Sequence, residues 1–229
     1  MNRTFFPLGL LALALLFGSS TAQTKAPDEH STETSVAPDD ALARLTQGNK
    51  RFTSGRLVHP RQNSVRRAKL AQSQAPFAIV LACADSRVAP ELTFDQGLGD
   101  LFVVRVAGNL VNDEGLGSIE YAVEHLGTRL IVVLGHERCG AVQAARDVIA
   151  AGQTAPAHID SLVAAIKPAV DATSTADLET TVKANVENVV KKLQTSEPML
   201  KPLVEKKEVV VKGAYYDLDT GAVKFLDSR

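Results

Sequence analysis

Phe77-Ala78-Ile79-Val80-Leu81-Ala82-Cys83-Ala84-Asp85-Ser86-Arg87 is six apolar residues followed by an abrupt turn into chemistry. An apolar run of that length, without alternation, reads as a strand covered on both faces, the pattern of a parallel sheet inside an α/β domain. The run recurs twice. Leu101-Phe102-Val103-Val104-Arg105-Val106 reads as a second such strand, and Leu130-Ile131-Val132-Val133-Leu134 as a third, closely followed by His136-Glu137-Arg138-Cys139. In open parallel sheets, sites form beyond the carboxyl ends of the strands. Cys83 falls just past the first strand and His136 just past the third, so both segments are expected at one sheet edge.

Helices are expected between and around these strands. Asp39-Asp40 open one that runs to Phe52, with Gly55 as its stop; acidic residues suit the positive N-terminal end. A second covers 63–73. Ile119, Ala122, Val123 and Leu126 share one face of a helix over 115–126, and another starts at Gly140. Further helices are expected at 157–168, 176–195 and 198–207. Val209-Val210-Val211 and Val223-Lys224-Phe225, around Asp219-Thr220-Gly221, read as a strand pair. The fold class is therefore α/β: a mainly parallel β-sheet flanked by helices, with a short C-terminal strand pair.

The chain has 229 residues, of which 45% are hydrophobic and 22% charged, enough for one domain with a real core. A formal net charge of −1 gives no attraction to nucleic acid or to an anionic membrane. Residues 1–22 have the layout of a secretory signal peptide: Arg3, an apolar run of 13 residues from Phe5 to Phe17, then Ser20-Thr21-Ala22 before a cut. The run falls short of the about 20 residues that span a bilayer, so no membrane partner is expected after cleavage. The alternative is an uncleaved anchor. Cleavage removes only Arg3 among the charges and leaves a net charge of −2. Residues 23–38 lack large apolar side chains and read as a flexible tether. Residues 39–229 form a single catalytic domain, and the protein is expected to be periplasmic or secreted.

The chain has two cysteines, Cys83 and Cys139, and both sit in the segments that follow strands. Two thiolates and one imidazole suit Zn²⁺, so Cys83, His136 and Cys139 are expected as its ligands. A disulfide between the cysteines is the alternative in an oxidising compartment. Asp85 lies two residues from Cys83, on the same side of an extended segment. On the metal, Asp85 would close the site; a water there instead leaves it open. Arg87 is two residues further on, and its fork can hold the Asp85 carboxylate off the metal by two parallel hydrogen bonds. The dyad would then orient a zinc-bound hydroxide toward a small electrophilic carbon. His30, His59, His125 and His158 have no ligand pattern. Gly108-Asn109 and Gly115-x-Gly117 lack the spacing of a dinucleotide fingerprint.

Taken together, these segments resemble the β-class carbonic anhydrases. The resemblance is carried by Leu81 to Pro90, Phe102 to Asn109, Gly117 to Ala122 and Gly135 to Gly140, with Asn49-Lys50-Arg51-Phe52 in the first helix. It is strong over 41–150 and weaker over 205–226. It implies zinc on Cys83, His136 and Cys139, the Asp85–Arg87 dyad as the catalytic pair, and reversible hydration of carbon dioxide to bicarbonate and a proton. It also implies a pocket shared by two subunits of a homodimer or homotetramer. There Gln74 would reach the substrate, Phe102 and Tyr121 would form an apolar wall, and Gly140 would offer its backbone N–H. Ala107 falls where some members carry Val. Members with a second, non-catalytic bicarbonate pocket carry Trp-x-Gly before the first cysteine; here those positions are Val80 and Ala82, and tryptophan is absent. An open resting site without that inhibition is therefore expected. Two other functions stand beside this one: hydrolysis of carbon disulfide or carbonyl sulfide on the same fold, and an exported, non-catalytic zinc-binding protein.

Overall fold

The computed structural model describes residues 35–227. The expected signal peptide, residues 1–22, lies outside the described residues, as does most of the expected tether. Its last residues are placed: the Ser35 hydroxyl donates to the Gly127 carbonyl at 2.9 Å, and Val36 packs against the core.

Five strands form one sheet: β1 (Ala78–Ala82), β2 (Leu101–Arg105), β3 (Leu130–His136), β4 (Val210–Tyr216) and β5 (Val223–Phe225). Their order is β2-β1-β3-β4-β5, parallel throughout except for the antiparallel pair β4–β5. β1 and β3 are buried along their whole length, which is why they read as unbroken apolar runs. β2 is the edge strand and is only half-buried.

Helices cover both faces. α1 (Pro38–Thr53) and the one-turn α3 (Pro90–Thr93) lie on one side, where Ala41, Leu45, Val88 and Phe94 pack against Val80, Val132 and Leu134. α4 (Asp113–Glu124), α5 (Gly140–Ala150), α6 (Ile159–Ala172) and α7 (Leu178–Gln194) lie on the other, over Ile79, Leu81, Ile131 and Val133. α2 (Ser64–Leu70) and α8 (Leu200–Glu205) are the other α-helices among the described residues. The alternation of the strand residues between the two cores is the period of two of a pleated strand.

Local chemistry explains the helix ends. Asn63, Asn112 and Asp177 are N-caps whose side chains accept the N–H of Arg66, Gly115 and Thr180. These caps move α4 and α7 by about two residues from the bounds expected from periodicity. α6 runs through Pro168 to Ala172, four residues past its expected end. The one-turn α3 is too short to leave a periodic signal, and the sequence reading has no counterpart for it.

The C-terminal segment differs most from expectation. β4 has seven residues, not three, and it is the fourth parallel strand of the main sheet as well as half of the terminal pair. Lys212 and Gly213 interrupt its apolar run and hide it. Gly213 and Gly135 serve one purpose: a Cβ would lie 2.9 Å and 2.5 Å from Val186 side-chain carbons, so their missing side chains let α7 settle onto β3 and β4. On the other face, buried Asn49 of α1 ties three elements together. Its amide donates to the Thr93 and Gly221 carbonyls at 3.1 and 2.8 Å, and its oxygen accepts the Val223 N–H at 2.9 Å.

Candidate metal centre

β1 and β3 are adjacent, with Ala82 opposite Leu134, so their carboxyl ends lie side by side. Cys83 follows β1. His136 is the last residue of β3 rather than the first beyond it, and Cys139 is the residue before α5. All three are buried, and their ligand atoms lie within 4.8 Å of one another. A tetrahedral zinc ion, with Zn–S of about 2.3 Å and Zn–N of about 2.0–2.1 Å, asks for such a triangle of donors after slight contraction. The cysteines are free thiols, so the disulfide alternative does not hold in this structure.

The imidazole is prepared for a metal. His136 Nδ1 lies 2.8 Å from the Glu137 carbonyl oxygen, which can only accept. Nδ1 therefore carries the proton, and the lone pair is on Nε2. Nε2 is fully buried and has no hydrogen-bond partner. Such an orphan is costly unless a ligand meets it. The donor set and the orphan both fit zinc.

The sulfurs are prepared as well. The Gly108 N–H, from the 3-10 turn Ala107–Asn109, donates to Cys83 Sγ at 3.3 Å, and the buried Asn185 amide holds the Gly108 carbonyl at 2.8 Å. Hydrogen bonding from the Cys139 thiol, joined by the Asp85 and Gly108 backbone, holds the Cys83 pKa below the ordinary thiol range. Cys139 is pushed far above the usual thiol range by the negative Cys83 beside it and by burial. In the metal-free protein the two sulfurs thus share one proton, held on Cys139. Zinc uptake must displace the proton on Cys139, so zinc affinity is expected to weaken as pH falls. Zinc titrations at a series of pH values measure that slope, and an affinity independent of pH would mean that no thiol proton is displaced.

Asp85 stands at the mouth of the triangle. Its Oδ2 is 3.8 Å from His136 Nε2. Arg87 grips the carboxylate with a fork, Nε to Oδ1 at 2.9 Å and Nη2 to Oδ2 at 2.7 Å, and its backbone N–H adds a third bond at 3.0 Å. These bonds hold the Asp85 carboxyl well below the usual carboxylate range. The loop itself is tied down by Arg105 at the end of β2, whose guanidinium donates to the carbonyls of Cys83 at 3.0 Å and Asp85 at 2.6 Å. Sequence reasoning gives Arg105 no role in the site. The available signal is a cation closing an apolar strand, in register with the residue before Cys83.

The residues expected to line a pocket are placed elsewhere. Phe102 is in register with Ile79, four residues before Cys83 and so about 13 Å down the strand. Gln74 precedes β1 and is exposed. Tyr121 is 44% exposed, two turns into α4, with its ring 5.0 Å from that of His125. None of the three belongs to the protomer's own metal site. Gly140 does adjoin it, as the exposed first residue of α5, with open space where a side chain would stand.

Fold and site together define an α/β protein with two cysteines and one histidine that could hold a metal at the carboxyl edge of a parallel sheet. The sequence profile of the carbonic anhydrase family matches residues 78–223, and the chain belongs to that family, in its β class. It is 50% identical over 133 residues to carbonic anhydrase 2 of Mycobacterium tuberculosis, covering 58% of this chain and 64% of that one. It is 48% identical over 133 residues to a carbonic anhydrase of Mycolicibacterium smegmatis, covering 58% and 65%. The match therefore spans less than two thirds of the length of these curated relatives. The solved β-carbonic anhydrase CcaA superposes with a TM-score of 0.63 at 26% identity, covering 81% of this chain and 95% of that one.

Proposed function

We propose that this protein catalyses the reversible hydration of carbon dioxide to bicarbonate and a proton, at a zinc ion held by Cys83, His136 and Cys139. The bound ion supplies Lewis-acid activation of water near neutral pH. The observation that carries the reading is the Asp85–Arg87 fork beside the orphaned His136 Nε2. A carboxylate so held stays ionised and accepts hydrogen bonds only. It takes the O–H of the reacting water and turns an oxygen lone pair toward the substrate carbon. Arg87 keeps Asp85 from closing over the metal, which a structural zinc site would not require. The Ala141 and Val142 N–H groups of α5 face the Cys139 sulfur, which leaves the N–H of Gly140, exposed at the helix start, as the backbone donor for the forming anion.

We extend the proposal to a homodimer, or a tetramer built from one. β2 is a half-buried edge strand, with Leu101 to Val104 unpaired on one side among the described residues. Such an edge invites pairing with a second copy. Twofold antiparallel pairing of β2 with its copy would carry Phe102 of one chain toward Arg105, and hence toward the metal loop, of the other. That is the arrangement in which Gln74, Phe102 and Tyr121 serve as substrate-binding residues. A periplasmic or secreted location remains part of the proposal, on the reading of residues 1–22.

Stopped-flow hydration of carbon dioxide from pH 6.5 to 9, run beside hydrolysis of carbonyl sulfide and carbon disulfide on the zinc-loaded protein, tests the proposal. The expected result is hydration that a chelator abolishes and added zinc restores, with negligible sulfide release. Zinc-loaded protein with no hydration anywhere in that range overturns it.

A further inference from the structure

We propose that Asp219, acting through Arg138, is a positioning residue for the Arg87–Asp85 pair, so that the β4–β5 turn is a working part of the site. Arg138 lies between two metal ligands and adopts φ 51°, the left-handed region that a non-glycine residue enters only when its surroundings compensate. The compensation is visible. Arg138 Nη2 and Nη1 donate to the two oxygens of Asp219 at 2.7 and 3.0 Å, and Nη1 also donates to Glu137 Oε1 at 2.8 Å. Glu137 is itself bound to the same segment: its N–H donates to the Tyr216 carbonyl at 2.8 Å, and its Oε2 accepts the Leu218 N–H at 3.1 Å.

The strained backbone has a consequence on its other side. The Arg138 carbonyl accepts from Arg87 Nη2 at 3.4 Å, and that same nitrogen donates to Asp85 at 2.7 Å. Asp219 thus holds the Arg138 side chain, the Arg138 backbone presents its carbonyl, and that carbonyl sets where the Arg87 fork meets Asp85. The turn does not need the Asp219 side chain for its own shape. Asp217 Oδ1 accepts the N–H of Asp219 and of Thr220 at 3.0 and 2.8 Å, and Gly221 at φ 74° closes the loop. Asp219→Ala is therefore expected to fold.

The kinetic half of the test rests on the proposed hydration reaction; the structural half does not. The Arg87 Nε–H, protected by its bond to Asp85, is followed by nitrogen-15 NMR in the zinc-loaded full-length protein. In Asp219→Ala its hydrogen exchange is expected to quicken about two- to fivefold, the scale of an exposed ion pair, with zinc content and urea midpoint unchanged. The hydration kcat is expected to fall by the same factor, and Asp219→Glu to recover most of it. Combined with Arg87→Lys, Asp219→Ala is expected to add no further loss, because both act on one fork. Asp219 and Arg138 side chains are 69% and 50% exposed, so about 1 M salt, with a Debye length of about 3 Å, should bring the wild type toward the variant. Wild-type exchange at Arg87 in Asp219→Ala, or a loss that multiplies with Arg87→Lys, overturns the inference. A wild type that hydrates no carbon dioxide while Arg87 still loosens in the variant removes the proposed function and leaves this coupling intact.

Discussion

Replacing His136 by alanine is expected to empty the metal centre and reduce carbon dioxide hydration to the buffer background. In the proposed site the imidazole is one of three protein donors, and the two that remain are sulfurs that share a proton in the metal-free state. Loss of an outer-shell partner alone costs about 10- to 100-fold in metal affinity; loss of a direct ligand is expected to cost more. His136 is fully buried at the end of β3, so the substitution also opens a void between the sheet and the metal loop. His136→Gln, which fills more of that space, separates the two effects: it should restore stability without restoring zinc. Metal analysis after dialysis, joined to stopped-flow rates and a urea melt, provides the measurement. An alanine variant that keeps one equivalent of zinc and wild-type turnover would show that the imidazole is not a ligand.

Asp85→Asn is expected to leave zinc in place and lower kcat by about 100-fold, within the range typical of a lost proton acceptor. The side chains are nearly isosteric, so the difference is chemical. A carboxylate presents two acceptors to the Arg87 fork, whereas a carboxamide must turn an NH₂ toward either Arg87 or the reacting water. The fork is mismatched in one case and the water in the other. The pH dependence gives a second check. The folded-state pKa of Asp85 is lowered, so its ionised form, and the stability that comes from pairing it, is present above the ordinary carboxylate range and is lost only as pH falls through the lowered value. From pH 6.5 to 9 the wild type should therefore show no limb due to Asp85, and the asparagine variant should be reduced by the same factor throughout. A variant with full activity, or one stripped of zinc, would count against the role proposed for Asp85.

Much of the site was legible because its parts are local. Cys83, Asp85 and Arg87 share five residues of one loop, and His136 and Cys139 are three apart. Fully buried strands announce their own ends, so both loops could be assigned to one sheet edge. The supporting shell was not legible. Arg105, Gly108, Asn185 and Asp219 lie from 22 to 136 residues beyond Cys83, and apart from the cation that closes β2 nothing in their local sequence marks a partner. The pocket residues implied by family likeness are a third kind. Phe102 sits in β2 opposite Ile79, Tyr121 two turns into α4 and Gln74 in the loop before β1, away from their own protomer's metal loop, so the role proposed for them needs a second copy.

Sequence alone determined the class of sheet, the three candidate donors and the Asp85–Arg87 pairing, because these depend on unbroken apolar runs and on side chains a few residues apart. Tertiary structure alone decided that β4 is a fourth parallel strand, that His136 ends β3, and that the β4–β5 turn grips the metal loop through Arg138 and Asp219. The physical reason is range. Hydrophobic period and loop chemistry act over a few residues, whereas strand order and the ion pairs it permits are set by which surfaces meet when the whole chain packs.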